Sequence, residues 1–120
     1  MFFIGESNNI DVIRIEIIIP ENNIRIISEA LKKIGVGGIT VLKVKGRGKT
    51  QGPQIHASKG TELFTPEFSD KYVIHVIVSQ EKETDVIEIV RSNSHSGKIF
   101  VSPVNHAVDI GSGLENEKAI

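Results

Sequence analysis

The strictest constraint on what this chain can become is the run Asp-Val-Ile-Arg-Ile-Glu-Ile-Ile-Ile at 11–19, where Ile13, Ile15, Ile17 and Ile19 recur at every second position. Successive side chains of an extended strand point to opposite faces, so four isoleucines share one face and Arg14 and Glu16 point the other way. A segment of this kind must bury one face and find partner strands for its backbone donors and acceptors. The rest of the chain is built to supply them, with 20 Ile and 12 Val against 4 Leu. Branching at Cβ restricts rotamers in a helix and packs well on a pleated surface, so sheet should dominate the core.

Pro20 stops the first strand, and Glu21-Asn22-Asn23 offers a cap for a helix whose Ile24, Ile27, Leu31 and Ile34 follow at spacings of 3, 4 and 3. Gly35 ends that helix. After Gly37-Gly38 a second strand is expected over 39–45. A third begins at Lys71, with Tyr72, Ile74, Val76 and Val78 on one face and Val73, His75 and Ile77 on the other. The stretch 80–93 reads as a helix, with Val86 and Val90 on one side, Ile87 beside them, and Glu81, Glu83 and Asp85 near the start, where the helix dipole favours acids. A turn-rich loop, 92–98, leads into a fourth strand over 98–104, and Pro103 marks it as an edge or a strand end. The polar tail 105–120 is expected to fray unless a neighbouring subunit pairs with it.

Strand, helix, strand, long loop, strand, helix, strand is the βαββαβ order of a ferredoxin-like split βαβ fold, an α+β architecture with two helices on one face of an antiparallel sheet. All 120 residues fit one domain. Two helices cover one sheet face, so the second face should meet another copy of the chain.

Composition removes several classes of function. There is no Cys, hence no disulfide framework, no thiol nucleophile and no cysteine-based zinc site. Fourteen Lys+Arg against 15 Asp+Glu give a net charge of −1, and there is no Trp and one Tyr, so nucleic acid is not an expected partner. The opening Met1-Phe2-Phe3-Ile4-Gly5-Glu6 lacks the basic start of a secretory signal, and no apolar run approaches the roughly 20 residues of a membrane span. A soluble cytoplasmic protein is expected. No Gly-x-Ser-x-Gly, His-Glu-x-x-His or Walker pattern occurs, and the chain is read as a non-enzyme. His56, His75, His95 and His106 stand 19, 20 and 11 residues apart, which fits no metal-ligand spacing, so no metal ligands are assigned.

Between 46 and 70 the periodicity is lost. Gly46, Gly48, Gly52, Pro53, Gly60 and Pro66 break it, and from 43 to 59 Lys43, Lys45, Arg47, Lys49 and Lys59 occur with no acid. A loop this long in a small domain is either functional or a disordered insertion. Ile55, Leu63, Phe64 and Phe68 would serve an arm that docks on a partner, or would fold back onto the protein.

Three stretches carry a resemblance to a known family: Gly-Val-Gly-Gly-Ile-Thr-Val at 35–41, Val-Lys-Gly-Arg-Gly-Lys at 44–49 leading into the loop, and Gly-Lys-Ile-Phe-Val-Ser-Pro-Val at 97–104. Over about residues 10 to 111 the chain resembles the PII nitrogen-regulatory signalling proteins, its first and last motifs being most like archaeal members. The resemblance implies a homotrimer that binds ATP or ADP between subunits, often with 2-oxoglutarate, and a mobile T-loop (46–70) that docks on an ammonium transporter or a nitrogen-assimilation enzyme. By position it implies nucleotide contacts from Thr40, Gly46, Arg47, Gly48, Lys49, Gly97 and Lys98, and effector contacts from Thr50, Gln51 and Lys71. Glycine lets backbone N–H groups approach an anion and lysine adds a compact charge, so these residue types suit phosphates.

The chain also departs from the family pattern. The glutamine of the T-loop aligns with Thr50, with Gln51 next to it, and no Tyr lies between 46 and 70 to be modified. The second phosphate loop, Ser-His-Ser-Gly-Lys at 94–98, is about four residues shorter than the family's, and two phosphate-binding arginines align with Asp109 and Gly111. AMP or another anion is therefore an alternative ligand, and the roles of Mg²⁺ and 2-oxoglutarate stay open. A second reading is a ferredoxin-like trimer of the divalent-cation-tolerance type, which would bind metal through its histidines and acids.

Overall fold

The computed structural model describes residues 11–48, 55–56, 63–64 and 67–120. Its centre is β1 (Val12–Ile19), the alternating isoleucine run. This strand pairs antiparallel with β5 (Ser69–Ser79) on one side and with β6 (Lys98–Pro103) on the other, while β2 (Ile39–Gly46) adds to the far edge of β5. The sheet order is β2-β5-β1-β6. Ile17 lies opposite Ile74 of β5 and Ile99 of β6, so one register places the apolar sets of three strands on the same face.

Helices α1 (Ile24–Lys33) and α2 (Glu83–Asn93) cover that face, the second entered through a single 3₁₀ turn at Gln80–Lys82. Ile15, Ile17, Ile27, Leu31, Ile74, Val76 and Val86 are wholly shielded from solvent. Burying each such side chain contributes about 1.5–3 kcal/mol, and among the described residues no polar or charged side chain is buried with them. The ferredoxin-like fold expected from the element order is therefore the one observed, with Pro103 as the last residue of an edge strand.

Four local features differ from the reading of the sequence. Asn23 does precede α1, but its side chain makes no cap to that helix; its amide donates instead to the Asn93 carbonyl and, at 3.1 Å, to Ser94 Oγ at the end of α2. β5 starts at Ser69, two residues before Lys71, because Gly46 and Lys45 extend the pairing to Ser69 and Asp70. Within the loop read as patternless, the two-residue strands β3 (Ile55–His56) and β4 (Leu63–Phe64) pair antiparallel.

The tail, expected to fray, closes into a hairpin. Val108 bridges Glu115, Asp109 N–H donates to the Leu114 carbonyl at 2.8 Å, and Gly113, at φ +75°, turns the chain. Local polar groups hold this turn, a source of order that hydrophobic periodicity does not register. The end of α1 follows the sequence: Gly35 adopts φ +86°, Val36 N–H reaches the Leu31 carbonyl and Gly35 N–H the Lys32 carbonyl, a Schellman closure.

The second sheet face is open. Leu42 and Phe100, on opposite edge strands, are 48% and 54% exposed there, and Glu16 faces His75 at 3.8 Å between them. The polar pair lies in one row with Thr40 and Phe100 across the four strands.

Candidate functional site

Chemistry-bearing residues gather at the end of the sheet where β1 stops. At that end β6 begins with Lys98, which pairs with Ile18, and α2 runs out at Asn93. Between them the chain turns through Ser94, His95, Ser96 and Gly97 in four residues. Both ends of this turn are fixed. Asn23 holds the Asn93 carbonyl and Ser94 Oγ, and Gly97 sits at φ +132° against β1 so closely that a Cβ would lie 2.2 Å from the Ile18 carbonyl oxygen. Only glycine fits there, both for its backbone angle and for its lack of a side chain.

A cavity of about 380 Å³ opens beside the turn. Ile19, Val90 and Ile99 form an apolar floor, Ser94, His95, Ser96 and Gly97 form one wall, and Arg91 and Lys98 supply two cations. No acid is among the lining residues. Among the described residues the amides of His95 and Ser96 make no backbone hydrogen bond, so they stand available to an anion. Serine hydroxyls, free amides and two permanent positive charges around one concave surface form a cradle for phosphate or carboxylate groups.

Gly97 and Lys98 are thus brought into one site with Ser94, His95 and Ser96 of the short phosphate loop and with Arg91, which was not singled out in the sequence. The signal for Arg91 was present: a cation in the last turn of a helix, seven residues before Lys98 across a tight turn. The remaining expected contacts lie elsewhere. Gly46 ends β2 and Lys71 lies in β5, at the same end of the sheet as the cradle but across β1 and β5 from it. The Lys71 stem passes Gly46 so closely that a Cβ there would meet Lys71 Cγ at 3.1 Å. Gly48 has open space around it. Thr40 is exposed near the start of β2, opposite His75, three strands from Lys98 and not part of the cradle within one chain. Lys49, Thr50 and Gln51 fall outside the described residues, as do the side chains of Ile55, Leu63 and Phe64; Phe68 is exposed.

The basic run entering the loop is answered by acids from the returning strand. Lys45 Nζ is 2.6 Å from Asp70, Lys43 Nζ 3.5 Å from the same carboxylate, and Arg47 bonds Glu67 at 2.8 Å. These acids lie outside the acid-free window 43–59, so the antiparallel pairing, invisible in the sequence, partly neutralises the patch. The Lys45 hydrogen bond, aided by the charge of Lys43, holds the Asp70 carboxyl below its ordinary value. Exposed pairs of this kind add little stability, but they tie the two strands together at the root of the loop.

In the C-terminal hairpin Asp109 accepts hydrogen bonds from Ser112 Oγ at 2.7 Å and Ser112 N–H at 2.9 Å, and these, the hydroxyl first, hold its carboxyl below the ordinary pKa of an aspartate. Its carboxylate is thereby committed to closing a turn. His106 Nε2 lies 2.5 Å from Glu115 across the same hairpin. Among the described residues no group of three or more His, Asp or Glu is placed to hold a metal ion, and no helix is long and apolar enough to cross a membrane.

Comparison with known proteins agrees with this layout. The family described as nitrogen regulatory protein P-II matches residues 12–113. The nitrogen regulatory protein P-II of Porphyra purpurea is 35% identical over 112 aligned residues, covering 89% of this chain and 98% of its own length. The P-II protein of Azospirillum brasilense is 33% identical with the same coverage. Among solved structures, Arabidopsis thaliana PII bound to citrate superposes with a TM-score of 0.72 at 26% identity, covering 94% of this chain and 95% of that one. The Bacillus subtilis GlnK–ATP complex, at 24% identity, shares the fold with a TM-score of 0.73 over 92% of this chain and 98% of that one. With its sheet, its two helices and its long loop in the same order over nearly the whole length of these relatives, the chain belongs to the nitrogen regulatory protein P-II family.

Proposed function

We propose that this protein is a non-enzymatic cytoplasmic regulator that binds an adenine nucleotide, ATP or ADP, in clefts between the subunits of a homotrimer and signals through the loop 46–70. The observation that carries the reading is the cradle of Arg91, Ser94–Lys98 and two free amides at the end of β1, an anion site with no acid in its walls. A relative of the same fold has been solved with ATP and another P-II protein with citrate, and both ligands are anions of the kind this cradle suits.

The cradle holds phosphates, and Thr40, too far across its own sheet to reach it, contributes from a neighbouring copy beside the adenine. The open sheet face with Leu42 and Phe100 exposed supports such an assembly, since apolar groups on that face gain from being covered. Gly46, Gly48 and Lys71 lie at the root of the loop, at the same end of the sheet, so a ligand seated there changes the contacts that hold the root. The pairs Lys45–Asp70 and Arg47–Glu67 are weak enough to be exchanged for contacts with a bound polyanion. The loop is then free to dock on a target through its apolar residues, an ammonium transporter or a nitrogen-assimilation enzyme being the expected class. Thr50, Gln51 and Lys71 are the residues assigned to an effector such as 2-oxoglutarate.

Calorimetric titration with ATP, ADP and AMP, each with and without Mg²⁺ and 2-oxoglutarate, tests the reading. Saturable binding of an adenine nucleotide that is weakened in Lys98→Ala supports it. Absence of saturable binding for all three nucleotides rejects it.

A further inference from the structure

The cradle stands at an unfavourable place for an anion. Its turn leaves from the C-terminal end of α2, where the last carbonyls of a helix point outward and carry a partial negative charge. Two asparagine side chains answer those carbonyls. The Asn93 amide donates to the Ile89 carbonyl at 2.8 Å, and the Asn23 amide, from the residue before α1, donates to the carbonyl of Asn93 itself. The same Asn23 nitrogen donates to Ser94 Oγ at 3.1 Å, and Ser94 lines the cavity together with Arg91 and Lys98. The orientation of Asn23 follows from its partner: a carbonyl can only accept, so the nitrogen of the amide and not its oxygen must face Asn93. A hydroxyl oxygen that accepts from an amide keeps its own proton for another acceptor, which leaves Ser94 a donor beside the cavity.

We infer that Asn23 is a positioning residue of the anion site: it withdraws the Asn93 carbonyl from the ligand and sets Ser94 to donate its hydroxyl proton to a phosphate or carboxylate oxygen. Asn23 is not among the residues lining the cavity, and it acts through Ser94. Its own carbonyl accepts from Ile27 N–H at 3.2 Å in the first turn of α1, so its backbone is held while its side chain reaches across to α2. The inference deepens the site proposed above and rests on that cradle being where an anion binds. It uses neither the base nor the number of phosphates, and further cations brought by the loop or by a neighbouring copy leave it unchanged.

Pyrophosphate, a probe without a base, is titrated into the full chain at constant ionic strength, with backbone and side-chain amide signals read by NMR. In the unaltered chain the Asn23 side-chain amide should shift with the same midpoint as the Ser94 backbone amide, and that shift should be largely lost in Ser94→Ala. Asn23→Ala and Ser94→Ala should each weaken pyrophosphate by about five- to tenfold, and the double variant by no more than about twofold beyond the weaker-binding single one, because both changes remove the same charge-assisted hydrogen bond. Asn23→Asp should weaken it further than Asn23→Ala, since a carboxylate takes the Ser94 proton for itself and adds negative charge behind the cradle. Losses that multiply in the double variant, an Asn23 side-chain amide unmoved by pyrophosphate in the unaltered chain, or no saturable shift in the turn overturns the inference. The side-chain amide readout needs no variant, so it decides the matter even where Asn23→Ala does not fold. Coupled losses with pyrophosphate but no binding of any adenine nucleotide would reject the proposed function and leave this inference standing.

Discussion

Replacing Gly97 by alanine should be among the most damaging single-methyl changes available in this chain, and its cost can be worked from the geometry. At φ +132° the residue occupies a region essentially reserved for glycine, a penalty of about 1–3 kcal/mol for any L side chain. The added Cβ would lie 2.2 Å from the Ile18 carbonyl oxygen, and reaching even 3.0 Å requires a shift of 0.8 Å. Ile18 cannot yield, because β1 is held by β5 on one side and β6 on the other. The turn must move instead, releasing the Ile18–Lys98 pairing at about 0.5–1.5 kcal/mol per hydrogen bond. The expected loss is about 2–5 kcal/mol, a large part of the 5–15 kcal/mol typical of a domain. Gly113→Ala is the control: its φ of +75° also favours glycine, yet nothing lies within 4 Å of its Cβ, so it should cost only about 1–2 kcal/mol. Urea unfolding of both variants at one fixed protomer concentration measures the difference. Equal losses for the two variants would refute the argument that contact with β1 fixes this turn.

Three further outcomes are expected. Ile17→Ala, at a site with no solvent exposure in the middle of β1, should lower stability by about 2–5 kcal/mol in the same assay. Gly46→Ala meets only the flexible stem of Lys71, at 3.1 Å, so it should change stability by less than about 1 kcal/mol while displacing the Lys71 ammonium, read from its side-chain NMR signals. The Asp70 carboxyl should titrate below its ordinary value of 3.8 in a carbon-detected NMR titration, and should rise more in Lys45→Ala than in Lys43→Ala. Because the folded-state value is the depressed one, the stabilisation from Asp70 is present above pH 3.8 and lost as pH falls through the folded value, so wild type and Asp70→Asn should converge in acid.

The fold was legible because its signals are periodic. Ile13, Ile15, Ile17 and Ile19 could bury one face only as a strand, and Ile24, Ile27 and Leu31 only as a helix, so element type and order followed from the sequence. Gly97 and Lys98 were singled out through the family resemblance, and the structure places both beside one cavity at the turn before β6. What escaped the reading depends on tertiary placement. Asn23 looked like a cap for its own helix, but its amide reaches the end of α2, 70 residues later in the chain. The basic run at 43–49 looked uncompensated until the strand pairing brought Asp70 and Glu67 to it. Asp109 aligns with a phosphate-binding arginine of the family, and only the structure shows its carboxylate engaged by Ser112 three residues on. A tail without hydrophobic period still orders when short polar side chains close its turns.

The proposed nucleotide site forms between two copies of the chain, with the cradle from one and Thr40, near the start of β2, from the next. Subunit mixing tests it most directly. Thr40→Gln and Lys98→Ala chains, each trimeric and each impaired in ADP binding, are co-refolded in equal amounts and titrated with ADP by calorimetry. Random trimers should regain full-affinity binding in about a quarter of their clefts, those pairing an intact cradle with an intact Thr40. If mixing restores no high-affinity sites, or if Thr40→Gln alone binds ADP normally, the site is not built across the subunit boundary in this way.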